Sequence, residues 1–352
     1  MDRRDFVKKG AAIAGAAVAL GTVGCTRQGD GVAGMPAPPT QNAGTSAAPP
    51  SPPAADGGGP DVGAGPGKVG ENRVFTSPPG DVHAAVATGP DPAALVTDAI
   101  AAYAGLDAIV RKGDAVVIKP CLAWGRTPET GANTSPEVLA AVIGVVRSAQ
   151  PSELLVVEHS CDRSVVAFEM SGARAVCEQL DVPLISLDSE SMYEEVLVSQ
   201  GINIKSEQIA RDILQADVYI NLPCLKHHAA TNLSLSMKNQ MGAIFDPQRY
   251  HRERSEMTGG PNLHQNIADL ASALRPTVVI ADATRALSTN GPKGPGNVLQ
   301  PNSVVVSHDM VAVDLLGAEM LGMAVDDVAY VGIAADMGLG VNDADSVTIA
   351  RV

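Results

Sequence analysis

The sequence predicts an α/β protein: a mostly parallel sheet with helices on both faces. Three observations carry this. Apolar residues make up 45% of the 352 residues and aromatics only 3%, so the core must be built from Ala, Val, Leu and Ile, which suits helices packed on parallel strands. From about Arg73 short β-branched runs alternate with amphipathic stretches, as in successive βα units. Two of those stretches open on a capping side chain followed by proline, a local start signal for a helix. The expected arrangement is Rossmann-like and three-layered, one domain over residues 71–352.

Each element has its own warrant. Asp91-Pro92 supplies an N-cap and an N1 proline for a helix to about Tyr103. Ala115-Val-Val-Ile-Lys119 reads as a strand, and Ser135-Pro136-Glu137 opens a second helix to about Ser148. Glu153-Leu-Leu-Val-Val-Glu158 is a strand, Val165 to Leu180 a helix, and Val182 to Leu187 a short strand. Asp217 to Leu222 is a buried strand that Pro223, which lacks an amide donor, should stop. A less regular stretch follows to Gly260. Leu263 to Leu274 has a helical apolar face of Leu263, Ile267, Leu270 and Leu274, and Thr277 to Asp282 is a strand. Ala283 to Pro301 is a loop punctuated by Gly and Pro, Val304 to Ser307 a strand, and Val311 to Leu321 a helix. No fixed short period recurs, which excludes solenoids and propellers.

The formal charge is -14, without the basic excess expected of a nucleic-acid binder, so nucleic acid is not an expected partner. Residues 1–25 read as targeting sequence. Asp2-Arg-Arg-Asp-Phe-Val-Lys-Lys9 precedes a weakly apolar stretch too short for a comfortable membrane span, and this resembles a twin-arginine export signal. Thr22-Val-Gly-Cys25 resembles a lipoprotein processing site, with Cys25 acylated; simple signal cleavage and a plain basic tail are the alternatives. Residues 26–70 are Pro, Gly, Ala and Ser with few large apolar side chains, a composition suited to a disordered linker. The expected location is the periplasm or cell envelope, with a lipid anchor to the membrane.

The chemistry gathers where strands end, because in open α/β sheets the crevice beyond the carboxyl ends is free of covering helices. Tyr219-Ile-Asn-Leu-Pro-Cys-Leu-Lys-His-His228 is the densest such stretch. Cys121, Cys161 and Cys224 follow three predicted strands, and if those are neighbours the thiols converge near His159, His227 and His228. Such a set would suit zinc or an iron-sulfur cluster; unligated thiols and a disulfide formed after export are the alternatives. Cys177, inside a predicted helix, is most simply a core residue.

Lys119, Lys226 and Lys238 stand near element ends, where they can hold a phosphate or carboxylate as point charges, with Asn221 and Asn239 as orienting amides. The plain alternative is three solvated lysines. His264 lies in the first turn of its helix, where the dipole favours a neutral ring able to accept a proton or bind metal. His227 and His228 are adjacent, so at most one should enter the crevice. Ser288 to Asn297 could cradle a phosphate or be an ordinary connection. Asp282, Asp309 and Asp314 could be ligands or general bases, although Asp309 also suits a helix N-cap and Asp314 a carboxylate in the first turns.

These segments together resemble the family known as domain of unknown function 362, over roughly Ala115 to Gly322. The resemblance rests on Val-Val-Ile-Lys-Pro120, Asn221-Leu-Pro with Leu225-Lys226-His227, and Met237-Lys-Asn239 with Gly242. It rests also on His264, Val278-Val-Ile-Ala-Asp282, Gly291-Pro-Lys-Gly294, Ser307-His-Asp309 and Val311-Ala-Val-Asp314. It implies an α/β fold and an active-site-like set of Lys119, Asn221, Lys226, Lys238, Asn239, His264 and Asp282, without supplying a reaction. Some relatives carry ferredoxin-like modules, which suggests redox chemistry; this chain has no such Cys-rich segment. Cys121 stands where Asn is usual, and Cys224 also departs from the pattern, which is compatible with a thiol or soft-metal variant of the site.

The expectation is an exported enzyme acting on a small anionic molecule. Lys226, His264 and Asp282 would be catalytic, Lys119, Asn221, Lys238 and Asn239 would bind substrate, and Cys121, Cys161 and Cys224 would hold a metal or cluster. The alternative is an envelope-tethered lipoprotein that captures an anionic ligand without transforming it.

Overall fold

Side-chain parity along the central strands sorts the core into two layers, one on each face of a sheet. Val116, Ile118, Val218, Ile220, Val278 and Ile280 pack on one side, and Val117, Tyr219, Val279 and Ala281 on the other. In this computed structural model the described residues are 72–252 and 262–352. They fall in one compact unit, Gly63–Val352. The expected signal, the Cys25 acylation site and the linker lie outside the described residues. Among the described residues no helix is long and apolar enough to cross a membrane.

The strands are β1 (Ala84–Thr88), β2 (Ala115–Pro120), β3 (Glu153–Glu158), β4 (Leu184–Ser186), β5 (Tyr193–Leu197), β6 (Ser206–Ala210) and β7 (Val218–Leu222). They continue with β8 (Cys224–His228), β9 (Asn232–Ser234), β10 (Val278–Leu287), β11 (Val298–Leu299), β12 (Ser303–Ser307) and β13 (Ile349–Arg351). The sheet runs β13-β1-β12-β10-β7-β2-β3-β4. From β10 to β4 every pairing is parallel, whereas β12 is antiparallel to both β10 and β1. The mostly parallel α/β sheet is therefore present, with an antiparallel margin.

The longer helices are α1 (Pro92–Tyr103), α2 (Pro136–Ser148), α3 (Ser164–Met170) and α4 (Ala173–Gln179), which cover one face. The short α5 (Ser236–Asn239) joins α6 (Leu263–Ala273), α7 (Met310–Met320) and α8 (Ala329–Asp336) on the other. Asp91 caps α1 through Ala93 N at 3.0 Å, and Ser135 caps α2 through Val138 N at 3.4 Å. Asp309 caps α7, accepting from Val311 N at 2.8 Å and Ala312 N at 3.0 Å. The helix expected over Val165 to Leu180 is two, because Gly172 adopts φ 80° and breaks the run.

The largest departure follows Pro223. Proline removes one donor, but its carbonyl still accepts from Asp282 N at 2.8 Å, and the chain continues as β8 beside an extended β10. Cys224 and Lys226 are therefore inside a strand that has changed partners. Sequence reasoning also missed β1, β13, α8 and the β5–β6 hairpin.

Candidate functional site

Register places the first two polar side chains. Lys119 on β2 is paired with Asn221 on β7, and both share the sheet face of Val117 and Tyr219, where α5 packs. Lys119 Nζ donates to Glu158 Oε2 at 3.1 Å, to the Pro120 carbonyl at 2.9 Å and to Asn239 Oδ1 at 3.1 Å. Asn239 Nδ2 donates to Asn221 Oδ1 at 2.7 Å, and Asn221 Nδ2 to the Ser236 carbonyl at 3.0 Å. This chain of bonds ties β2, β3 and β7 to α5. Lys119, Asn221 and Asn239 spend their polar atoms on one another, so they frame a site and do not line an open crevice.

Glu158 belongs to this network, and sequence reasoning passed over it as the last residue of a strand. Its Oε2 also accepts from Leu122 N at 2.8 Å, while Oε1 is buried without a partner among the described residues. Burial pushes its carboxyl up to about 7, against the pull of the Lys119 charge. Gly242 explains how the pair fits: a Cβ there would run into Glu158 Oε1 and lie 2.7 Å from Lys119 Nζ. Gly242→Ala is expected to cost about 1–3 kcal/mol or more, measured by urea unfolding, since the ion pair must move to admit the methyl.

The three lysines are 0%, 2% and 8% exposed for Lys119, Lys226 and Lys238, which disposes of the solvated-surface reading. Each has a different environment. Lys119 has the Glu158 carboxylate. Lys226 Nζ lies 3.0 Å from Cys121 Sγ, 3.3 Å from Cys224 Sγ and 2.5 Å from the Ala132 carbonyl. Burial works against its charge, but the two sulfurs outweigh that and hold its pKa above the ordinary lysine value. Among the described residues Lys238 has neither kind of partner: its Nζ donates to the Met241 thioether at 3.3 Å. Burial foremost brings its pKa down to about 8, and Lys226 adds repulsion while Cys161 and Cys121 oppose the drop.

Three imidazoles feel the Lys238 charge. Burial and then Lys238 lower His228 to about 2 and depress His251 and His264, so all three rings are neutral at physiological pH. His228 and His251 stack with centroids 6.3 Å apart, and His264 stacks on Tyr330 at 6.2 Å. His264 has the neutral ring expected of it, with burial as the main cause, and its Nδ1 is buried without a partner among the described residues. His227 turns away, as one of the adjacent pair must, and its Nδ1 accepts from Gly291 N at 3.1 Å.

The backbone around Lys238 is held from behind. Asp314 accepts from Ser236 N at 2.5 Å and Met237 N at 3.0 Å, fixing the first turn of α5. Burial pushes the Asp314 carboxyl up to about 7. Of the two readings open for it, Asp314 takes an anchoring role on a neighbouring helix.

Two expectations need correction. Cys121, Cys161 and Cys224 do not form a metal set: among the described residues no group of three His, Cys, Asp or Glu is placed to hold an ion. Cys121 and Cys224 do meet, but around the Lys226 ammonium, and a cation between the sulfurs is the wrong neighbour for a metal ion. Cys161 is exposed, its backbone bonded to Ala123, and His159 turns to Tyr193 and Ile244. Asp282 is committed elsewhere, Oδ2 accepting from Ser135 N at 2.7 Å and Oδ1 from Thr284 N at 2.9 Å and from Thr284 Oγ1, so its bonds organise the start of α2 and the turn at Thr284.

The loop Ser288 to Asn297 is an exposed to half-buried connection in which Gly291 is buried. Gly291 sits on the His227 carbonyl where a side chain would collide, and Lys293 lies 5.6 Å from the centre of the Trp124 ring. Cys177 is a core residue of α4, as expected.

The family model described as Domain of unknown function (DUF362) matches residues 116–319. The chain belongs to this family. The DUF362 region contains every member of the lysine, cysteine and histidine cluster described above. A thylakoid-associated protein of Synechocystis sp. is 26% identical over 240 residues, covering 68% of this chain and 72% of that protein. The lactate racemase apoprotein from Thermoanaerobacterium thermosaccharolyticum is similar in structure, with a TM-score of 0.42 and 11% identity. That likeness covers 68% of this chain and 57% of the racemase chain, so the chain spans little more than half of that protein.

Proposed function

We propose that this DUF362 protein is an enzyme acting on a small anionic molecule beside Lys238. The observation that carries the reading is the Lys238 amine: buried, without a carboxylate, bonded to a thioether and lowered to about 8. Such an amine can attract an anion as ammonium and take or give a proton near neutral pH. Pure capture of an anion favours a cation that stays charged, so the lowered amine supports catalysis over capture. The neutral rings of His228, His251 and His264 add proton acceptors or donors without competing for the anion.

Thermal unfolding in a panel of small carboxylates and phosphates tests this. At least one should raise the wild-type melting temperature by several degrees through binding to the native state, and Lys238→Met should abolish the response. An equal response in both proteins would remove Lys238 from the site. Incubation of the stabilising compound with the protein, followed by mass spectrometry, separates turnover from capture.

We also propose export and envelope tethering. The support is the twin-arginine-like start, the Cys25 processing pattern and a relative described as thylakoid-associated. Cell fractionation should find the protein with membranes, and Cys25→Ser should release it to the soluble fraction.

A further inference from the structure

Lys226 is a buried cation whose counter-charge is not a carboxylate. Taking an ammonium out of water costs several kcal/mol unless an anion compensates. The carboxylates nearest in the fold are committed: Glu158 to Lys119 and Leu122, Asp282 to Ser135 and Thr284. What touches Lys226 Nζ instead is the Ala132 carbonyl at 2.5 Å and two sulfurs, Cys121 at 3.0 Å and Cys224 at 3.3 Å. A thiolate is the anion this arrangement can supply.

Geometry selects which sulfur. Cys121 is the closer to Nζ, and both sulfurs face the Ala132 carbonyl, Cys224 more closely at 3.5 Å than Cys121 at 4.0 Å, a neighbour that suits a protonated thiol on Cys224. The neighbouring Cys224 thiol foremost, and then the charges of Lys226 and Lys119, bring the Cys121 thiol well below its ordinary value against the effect of burial. Burial and the neighbouring Cys121 sulfur move Cys224 the opposite way. Cys121 keeps 7% exposure and Cys224 only 2%, so Cys121 is the less enclosed of the two.

We infer that Cys121 is a standing thiolate nucleophile, held by Lys226, which adds to the electrophilic carbon of a small carbonyl compound bearing a carboxylate or phosphate. The anionic group rests on the reading of Lys238 given above; the nucleophile does not. In the addition, a sulfur lone pair forms the C–S bond and the C=O π pair moves onto oxygen, which takes a proton from the Lys238 ammonium. The charges then balance without a co-reactant. Before addition Cys121 compensates Lys226 and the ligand anion compensates Lys238. Afterwards sulfur and Lys238 are neutral, and the ligand anion inherits Lys226.

Alkylation of the folded full-length protein, with each cysteine mapped by mass spectrometry, tests both parts. The neutral probe is iodoacetamide and the anionic one iodoacetate; in each the sulfur displaces iodide. The Cys121 rate with iodoacetamide should be nearly flat from about pH 6 to about pH 9, whereas an ordinary thiol rises roughly two-hundredfold over that range. Lys226→Met should restore the rise, and Lys226→Arg should keep the profile flat. A rising wild-type profile, or no labelling of Cys121 at any pH, would overturn the nucleophile. The ratio of iodoacetate to iodoacetamide rates should fall about tenfold in Lys238→Met. A ratio that does not change would overturn the anionic substrate and the reading of Lys238, while a flat profile would still uphold Cys121.

Discussion

Lys238→Met should give a protein that is more stable than wild type near neutral pH and blind to anionic ligands. The drop of the lysine from 10.5 to about 8 corresponds to roughly 3 kcal/mol held against folding whenever the amine is protonated in both states. The sign follows from proton counting. Below about pH 8 folded and unfolded chains both carry the proton, and the cost is present in full. Between about pH 8 and about pH 10.5 the folded chain has released it while the unfolded chain keeps it, so stability rises with pH across that window. Methionine fills a similar volume without the charge, so urea unfolding at pH 7 should favour the variant by up to about 3 kcal/mol, and the gap should close above about pH 10. Comparing the two proteins cancels the cysteines and tyrosines that titrate in the same range. A less stable variant would mean that Lys238 holds the fold together.

Lys119→Met should act in the opposite direction, and strongly. Glu158 would keep a buried carboxylate with one oxygen already unpartnered and its counter-ion gone. Breaking a buried pair from one side costs about 3–5 kcal/mol. Glu158 is already raised to about 7, and without Lys119 it would hold its proton more firmly. A folded carboxyl raised above its unfolded value stabilises when protonated and loses that contribution as pH rises, so the variant should weaken progressively from about pH 5 upward. The double variant Lys119→Met with Glu158→Met should recover most of the loss, giving a large coupling energy in a double-mutant cycle by urea unfolding. Additive effects would mean the pair is not a unit.

What the sequence made legible was local. The starts of α1 and α2 are written in Asp91-Pro92 and Ser135-Pro136, because capping and the proline φ need no distant partner. β7 was legible and β8 was not: proline marks a lost donor, and nothing local says that the chain will pair with β10 beyond it. The β5–β6 hairpin escaped because Tyr193-Glu-Glu-Val-Leu197 and Ser206-Glu-Gln-Ile-Ala210 carry little regular apolar alternation, and the burial of Glu207 comes from distant packing.

The site followed the same division. Lysines and asparagines at strand ends stood out by type, and the structure brings Lys119, Asn221 and Asn239 together and sets His264 within the field of Lys238. Their burial, and the partners that set Lys119 apart from Lys238, depend on packing between distant segments. Glu158 went unseen because a carboxylate closing a strand ordinarily reads as solvated, and Gly242 gives the clue only once the ion pair behind it is known. Cys121 and Cys224 were expected to converge and do, but around the Lys226 ammonium, a neighbour that suits a thiolate and not a metal ion.

The central claim is that Lys238 is a poised amine, and titrating it by nuclear magnetic resonance tests that most directly. In protein labelled at the lysine ε-carbons, with Lys238→Arg to assign the resonance, one lysine should titrate near 8 and move when a small anion is added. A Lys238 resonance that titrates with the ordinary lysines near pH 10.4, unmoved by any anion, would contradict the account.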